Sequence, residues 1–179
     1  MLALHAAGVP LRPGPAVLLR TRLLSMALPP NSIAELAGEA RTTDELRACK
    51  IGGCCGKETP LLPEAAVRER LGALPQWALS ADGKSISRSF VARHWAAAIA
   101  FLNRVSELAE EEGHHPDLHL TGWRNVRVEL STHAIGGLSL PDLVLAAKID
   151  AIDVEYSPKW LKEQARVEEE RKASEARTG

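Results

Sequence analysis

Aromatic side chains are scarce in this sequence, 4% of its residues, and four of the seven are tryptophan. Cysteine is scarcer still. The three present, Cys49, Cys54 and Cys55, are too few and too close together to build the disulfide framework of a small stapled secreted domain. No stretch reaches the ~18 uninterrupted apolar residues of a membrane-spanning helix, which argues against an integral membrane protein. Neither sign of charge dominates, and a formal net charge of −1 gives no global attraction to nucleic acid or to an anionic bilayer. What is there is 179 residues, 45% of them hydrophobic and 25% charged, enough for one domain with a real core and too few for two large ones.

The small net charge hides a lopsided distribution. No acidic residue precedes Glu35, whereas Arg12, Arg20 and Arg22 do, so the first 34 residues carry +3 and the rest −4. A Leu- and Ala-rich opening with arginines and no acids has the composition of an organellar transit peptide. Arginines interrupt its apolar run, which fits poorly with the unbroken core of a secretory signal. Composition alone does not separate chloroplast from mitochondrion here. The competing reading is a disordered or wrongly assigned N-terminus, with Met26 as the true start.

Residues 35–62 mix Gly, Thr, Lys and the cysteines and hold no period, so they read as a linker or loose arm with the cysteines as free thiols. From Pro63 the pattern firms. Pro63-Glu64-Ala65-Ala66 suits a first helical turn, and Val67, Leu71 and Leu74 follow at helical spacing. Two strands are expected over Trp77–Ser80 and Ser85–Val91, joined by the turn Ala81-Asp82-Gly83-Lys84, with Arg88 interrupting the apolar face of the second. A helix over Arg93–Glu112 carries the stripe Trp95, Ile99, Leu102, Val105 and Leu108 and stops at Gly113. Strands over Leu118–Trp123 and Asn125–Thr132 come next, the latter alternating Val126, Val128 and Leu130 with Arg127, Glu129 and Ser131. Ser139 and Asp142 have the spacing of a capping box at the start of a last core helix. The order αββαββα, with strands paired as hairpins, predicts an α+β fold: a four-stranded antiparallel sheet with helices packed on one face. Residues 154–179 read as a charged tail, helical from Pro158 and solvated.

One region breaks the ordinary rules. Glu110-Glu111-Glu112 sets three carboxylates at a helix C-terminus, where the macrodipole disfavours them. His114-His115-Pro116 follows at once and His133 ends the next polar-faced strand, so four of the six histidines, His119 among them, fall within 20 residues. Such local conflict is expected at functional sites. Two histidines near neutrality can serve as acid and base in one step, and carboxylates beside one of them favour its protonated form. Pro116 holds the His-His pair stiffly off the helix. No H-E-x-x-H or Cys/His ligand spacing accompanies them, so a zinc site is not expected. His119 alternates between Leu118 and Leu120 and reads as a solvated strand residue.

Glu110, three residues, His114-His115-Pro116, six residues, Trp123, nine residues, His133, eight residues and Asp142 together resemble the signature of the pterin-4a-carbinolamine dehydratases. Leu-Ser-Thr-His and Gly-Gly-Leu-Ser around His133 are similar to that family's plant and algal branch. The resemblance covers residues 63–153. It implies removal of water from a 4a-hydroxytetrahydropterin to give the quinonoid dihydropterin, recycling the pterin of aromatic amino acid hydroxylation. Pterin is then the substrate and no metal or redox cofactor is needed. On this resemblance His114 and His133 are the acid/base pair, His115 orients the carbinol and Glu110 tunes the first histidine. Trp123 and Asp142 bind or support. The resemblance also implies a homodimer or homotetramer, without nucleic acid or membrane partners, and a plant setting points to the chloroplast rather than the mitochondrion. A related branch implies an alternative, a scaffold assisting Rubisco assembly, which does not need the full histidine set. Compared with the animal enzymes there is one extra residue before the aromatic, Leu118 replaces a tryptophan, and Pro141 stands where a basic residue is usual.

Overall fold

The computed structural model describes residues 40–51 and 56–178, so the +3 lead, Cys54 and Cys55 lie outside the described residues. The elements run α1 (Thr43–Ala48), α2 (Glu64–Leu71), β1 (Ala78–Leu79), β2 (Ile86–Val91), α3 (Trp95–Glu112), β3 (Asp117–Thr121), β4 (Asn125–Leu130), a single 3₁₀ turn (His133–Ile135), α4 (Leu140–Ile149) and α5 (Pro158–Thr178). The four strands form one antiparallel sheet in the order β1-β2-β4-β3. From α2 to α4 this is the α+β order expected above. Among the described residues no helix is long and apolar enough to cross a membrane.

Alternation decides which face of the sheet is covered. Ile86, Arg88 and Phe90 of β2 and Val126, Val128 and Leu130 of β4 are buried against the helices. Ser87, Ser89, Asn125, Arg127 and Glu129 point the other way. Helix α3 buries Ala98, Phe101, Val105 and Ala109 at steps of three and four. That stripe is rotated from the one expected: Trp95, at the first turn, is 54% exposed. Small alanines on the buried side let α3 approach α4, so the larger residues beside them sit at the boundary.

Three strand ends differ from expectation. β1 is only two residues long. β3 stops at Thr121, because Gly122 and Trp123 both take positive φ (51° and 61°) to make the turn into β4. β4 stops at Leu130; Thr132 bridges Gly137, and His133 opens the 3₁₀ turn instead of continuing a strand face.

Arg88, which reads as a break in an apolar strand face, is 2% exposed. Its guanidinium donates to Asp150 Oδ1 (2.8 Å) and to the Tyr156 hydroxyl (2.6 Å), and lies 5.6 and 5.8 Å from the ring centroids of Phe90 and Phe101. Trp77 Nε1 donates to the same Asp150 oxygen (2.9 Å). Burial pushes the Asp150 carboxyl above its ordinary value, and Arg88 and Trp77 pull it back only in part. A carboxyl raised by folding holds its proton more tightly in the native state. Its contribution to stability is therefore fully present below its unfolded value of 3.8 and falls as pH rises through the folded one. Asp150→Asn lacks that dependence. The difference in unfolding free energy, variant minus wild type, should become more positive as pH rises above 3.8 in denaturant titrations; a flat or falling difference would contradict it.

Residues 40–51 are not a loose arm. Thr42 caps α1 through a reciprocal box with Glu45, and α1 packs on α4. Leu46 is fully buried, Arg70 Nε donates to the Ala40 carbonyl (3.1 Å), and the Ile51 N–H donates to Glu112 Oε2 (3.0 Å). Glu112, at the end of α3, is also ion-paired with Lys148 of α4. Gly and Lys content makes this segment read as a linker; one leucine and two hydrogen bonds to its backbone dock it. Leu46→Ala should lower the unfolding free energy by about 2–5 kcal/mol in a denaturant titration, where a loose arm would give less than about 0.5. Cys49 sits at this junction, partly buried, its thiol pushed up by burial.

The tail is a helix. Trp160 stacks on Tyr156 (5.2 Å between centroids) and anchors its start. Beyond it, Arg166 pairs with Glu163 and Glu170, and Arg171 with Glu168 and Glu175, at three- and four-residue steps along an otherwise solvated rod.

Candidate active site

Helix α3 ends where the sequence demands it. Gly113 takes φ 65°, a left-handed conformation that costs glycine nothing, and turns the chain so that His114-His115-Pro116 leave the helix axis and enter β3. The two histidines then have opposite fates. His114 is 2% exposed and its Nε2 lies 2.7 Å from Asp142 Oδ1. His115 is exposed, with Nε2 3.2 Å from Glu110 Oε1, one turn back on α3. Glu110 thus partners the second histidine, not the first.

Asp142 is the anchor of the region. It is fully buried in the first turn of α4. Its Oδ2 accepts from the Ser139 N–H (2.7 Å), the Thr132 hydroxyl (2.9 Å) and the Ser139 hydroxyl (3.1 Å), while Oδ1 takes His114. The capping-box spacing and the support role assigned to this residue are two uses of one carboxylate. It holds the residue before His115 with one oxygen and the residue before His133 with the other.

His133 follows Thr132 into the 3₁₀ turn and is exposed, with Nε2 3.4 Å from Asp117 Oδ2. Asp117 is the residue after Pro116, at the start of β3. A second short path therefore links the histidines: His115, Pro116, Asp117, His133. Sequence reasoning passed over Asp117; an acid immediately after His-His-Pro was its signal. Each exposed histidine has its own exposed carboxylate, Glu110 for His115 and Asp117 for His133.

Trp123 does not join this group. It lies in the turn at the opposite end of β3 from Asp117, 54% exposed, with the Arg124 guanidinium 4.6 Å from its ring centroid. His119 faces the same side of the sheet as Asp117, 3.2 Å from Arg127 Nη2. Among the described residues no three His, Cys, Asp or Glu are grouped so as to hold a metal ion.

A buried carboxylate that fixes two backbone turns, each presenting a solvent-facing imidazole beside a carboxylate, is suited to moving two protons to and from one small molecule. Known proteins are similar to this chain over the same region. Residues 60–152 match the family described as pterin 4 alpha carbinolamine dehydratase. The mitochondrial pterin-4-alpha-carbinolamine dehydratase 2 of Arabidopsis thaliana is 40% identical over 113 residues, which span 62% of this chain and 60% of that one. A Roseiflexus castenholzii protein provisionally named for the same activity is 46% identical over 92 residues, 51% of this chain and 96% of that one. A Brucella melitensis crystal structure described as a transcriptional coactivator/pterin dehydratase is 30% identical, with a TM-score of 0.48, covering 51% of this chain and 97% of that one.

Proposed function

The chain belongs to the pterin 4 alpha carbinolamine dehydratase family, and from that premise we propose that it is a hydro-lyase converting 4a-hydroxytetrahydropterin to quinonoid dihydropterin. The reaction breaks the C4a–O bond. A proton goes to the departing hydroxyl, the N5 proton goes to a base, and the N5 electron pair forms the new double bond to C4a. Oxidation state is unchanged, water is the only other product, and the two proton transfers need no metal or redox partner.

The observation that carries the residue assignment is the split between His114, closed in against Asp142, and His115 and His133, both open to solvent. A group that exchanges protons with a bound molecule must touch it. His115 and His133 are therefore the acid/base pair, and His114 is a positioning residue held by Asp142. This reading departs from the expectation that His114 and His133 act and His115 orients, and the burial of His114 supports it. Glu110 and Asp117 hold the two active imidazoles.

The Arabidopsis relative's mitochondrial name supports an organellar address for this chain, and favours the chloroplast expected above no more than the mitochondrion. A homodimer or homotetramer is part of the same reading, and sedimentation of the purified chain checks it. The function itself is tested by adding the purified chain to a pterin-dependent hydroxylase and following quinonoid dihydropterin. Acceleration that survives EDTA is expected, and no acceleration would overturn the reading.

A further inference from the structure

The acidic run that ends α3 divides its work. Glu110 faces His115, whereas Glu112, 7% exposed, turns to partners outside the helix. Its Oε2 accepts from the Ile51 N–H (3.0 Å), and its Oε1 is paired with Lys148 in the last turn of α4. The last turn of α3 holds no basic residue, and the macrodipole there disfavours a carboxylate. Burial strips the charge of water as well, and apolar residues of similar size are often as stabilising as a buried ion pair. Stability alone therefore does not account for a charge at this point.

Its position gives the charge a use. Glu112 stands immediately before Gly113, whose left-handed turn releases His114 and His115 from the helix. Helix α4 grips that turn from both sides. Asp142 in its first turn takes His114, and Lys148, about 9 Å further along the axis, takes Glu112. The third fixed point is the backbone of Ile51. That residue is buried, and its segment is tied to α4 again by Arg47 Nε, which donates to the Ala147 carbonyl (3.2 Å). The end of α3 is thus pinned by α4 and by residues 40–51 together, and this same end carries Glu110, the partner of His115.

We propose that Glu112 is a positioning residue for His115, and that residues 40–51, which precede the family match at 60–152, act through it as part of the catalytic unit. The inference rests on the dehydratase reading and deepens it. Glu112 acts on the end of α3, and through it on the place of Glu110 and His115, not on the reacting atoms.

Two double variants of the full chain test it, since both discard the buried charges and differ only in the acceptor offered to Ile51. Glu112→Gln with Lys148→Met keeps a side-chain carbonyl for the Ile51 N–H; Glu112→Met with Lys148→Met does not. The second should melt near the wild-type midpoint, yet its Ile51 amide should lose protection from hydrogen exchange. Its kcat for dehydration should fall about tenfold, with KM within about twofold of wild type. The first should recover most of that kcat. In NMR spectra the His115 ring resonances should move in the second variant while those of His133 stay. A wild-type kcat or an unmoved His115 ring in the second variant would overturn the proposal, and so would equal losses of kcat in the two. Ile51→Pro removes the donor instead of the acceptor and decides the matter should the second variant not fold: a lowered kcat with a displaced His115 ring is expected, and wild-type values would overturn the proposal. A wild-type chain that dehydrates nothing, while its His115 ring still follows the substitutions at Glu112, would sink the dehydratase reading and leave the positioning contact standing.

Discussion

His115→Ala and His133→Ala should each lower kcat for dehydration by about 100- to 10,000-fold, the usual worth of a positioned general acid or base, while leaving the fold intact. Both rings are exposed and each makes one contact, to an exposed carboxylate. Removing such a side chain costs within about 0.5 kcal/mol of stability. His114→Ala should behave in the opposite way. That ring is buried and hydrogen-bonded to Asp142, so its loss leaves a cavity and an under-satisfied carboxylate, lowering the thermal midpoint and, through it, the activity. Rates and unfolding midpoints on the same three preparations separate the roles. An active His133→Ala chain, or a His114→Ala chain of unchanged midpoint, would refute the division between acting and positioning histidines. Replacing the carboxylates gives a graded version: Glu110→Gln and Asp117→Asn should slow turnover less than loss of the histidine each one holds.

The αββαββα core was legible because its signals are local. Alternation in β4, the Gly113 stop and the Ser139/Asp142 spacing each depend on a few neighbouring residues, and all three are realised. The misreadings come from partners distant in sequence. Arg88 is acceptable in the core only because Asp150, 62 residues on, meets it. Residues 40–51 are docked by Glu112 and by helix α4, which no window around Leu46 contains. The site divides along the same line. Spacing picked out His114, His115, His133, Glu110 and Asp142 as a set, but which histidine faces water was not in the spacing. Gly113 in the left-handed region sets that choice, because it turns the chain just before the pair and sends the first ring inward. Trp123 had a motif position and no tertiary signal; the positive φ of the Gly122-Trp123 turn carries it to the far end of β3.

Asp142 is the residue whose loss should do most damage. Asp142→Ala removes the acceptor of four hydrogen bonds at a fully buried point: His114 Nε2, the Thr132 hydroxyl, and the Ser139 hydroxyl and N–H. The donors left behind have no water to turn to, and breaking such a buried network costs about 3–5 kcal/mol, a large part of the stability of a domain this size. Asp142→Asn is the more informative variant. Its carbonyl can keep the Ser139 N–H and the Thr132 hydroxyl, but its amide N–H₂ then faces His114 Nε2, which must become an acceptor. The fold should survive with a modest loss of midpoint, while kcat falls by about tenfold or more because the His114 side of the clamp is remade and His115 is displaced. A purely structural Asp142 would move stability and rate together in both variants. A double-mutant cycle settles the mechanism: Thr132→Val and Asp142→Asn should be strongly non-additive in kcat, since both act on the same grip on the turn that carries His133. Asp142→Asn with a wild-type kcat would show that the buried carboxylate caps a helix and does nothing for the histidines.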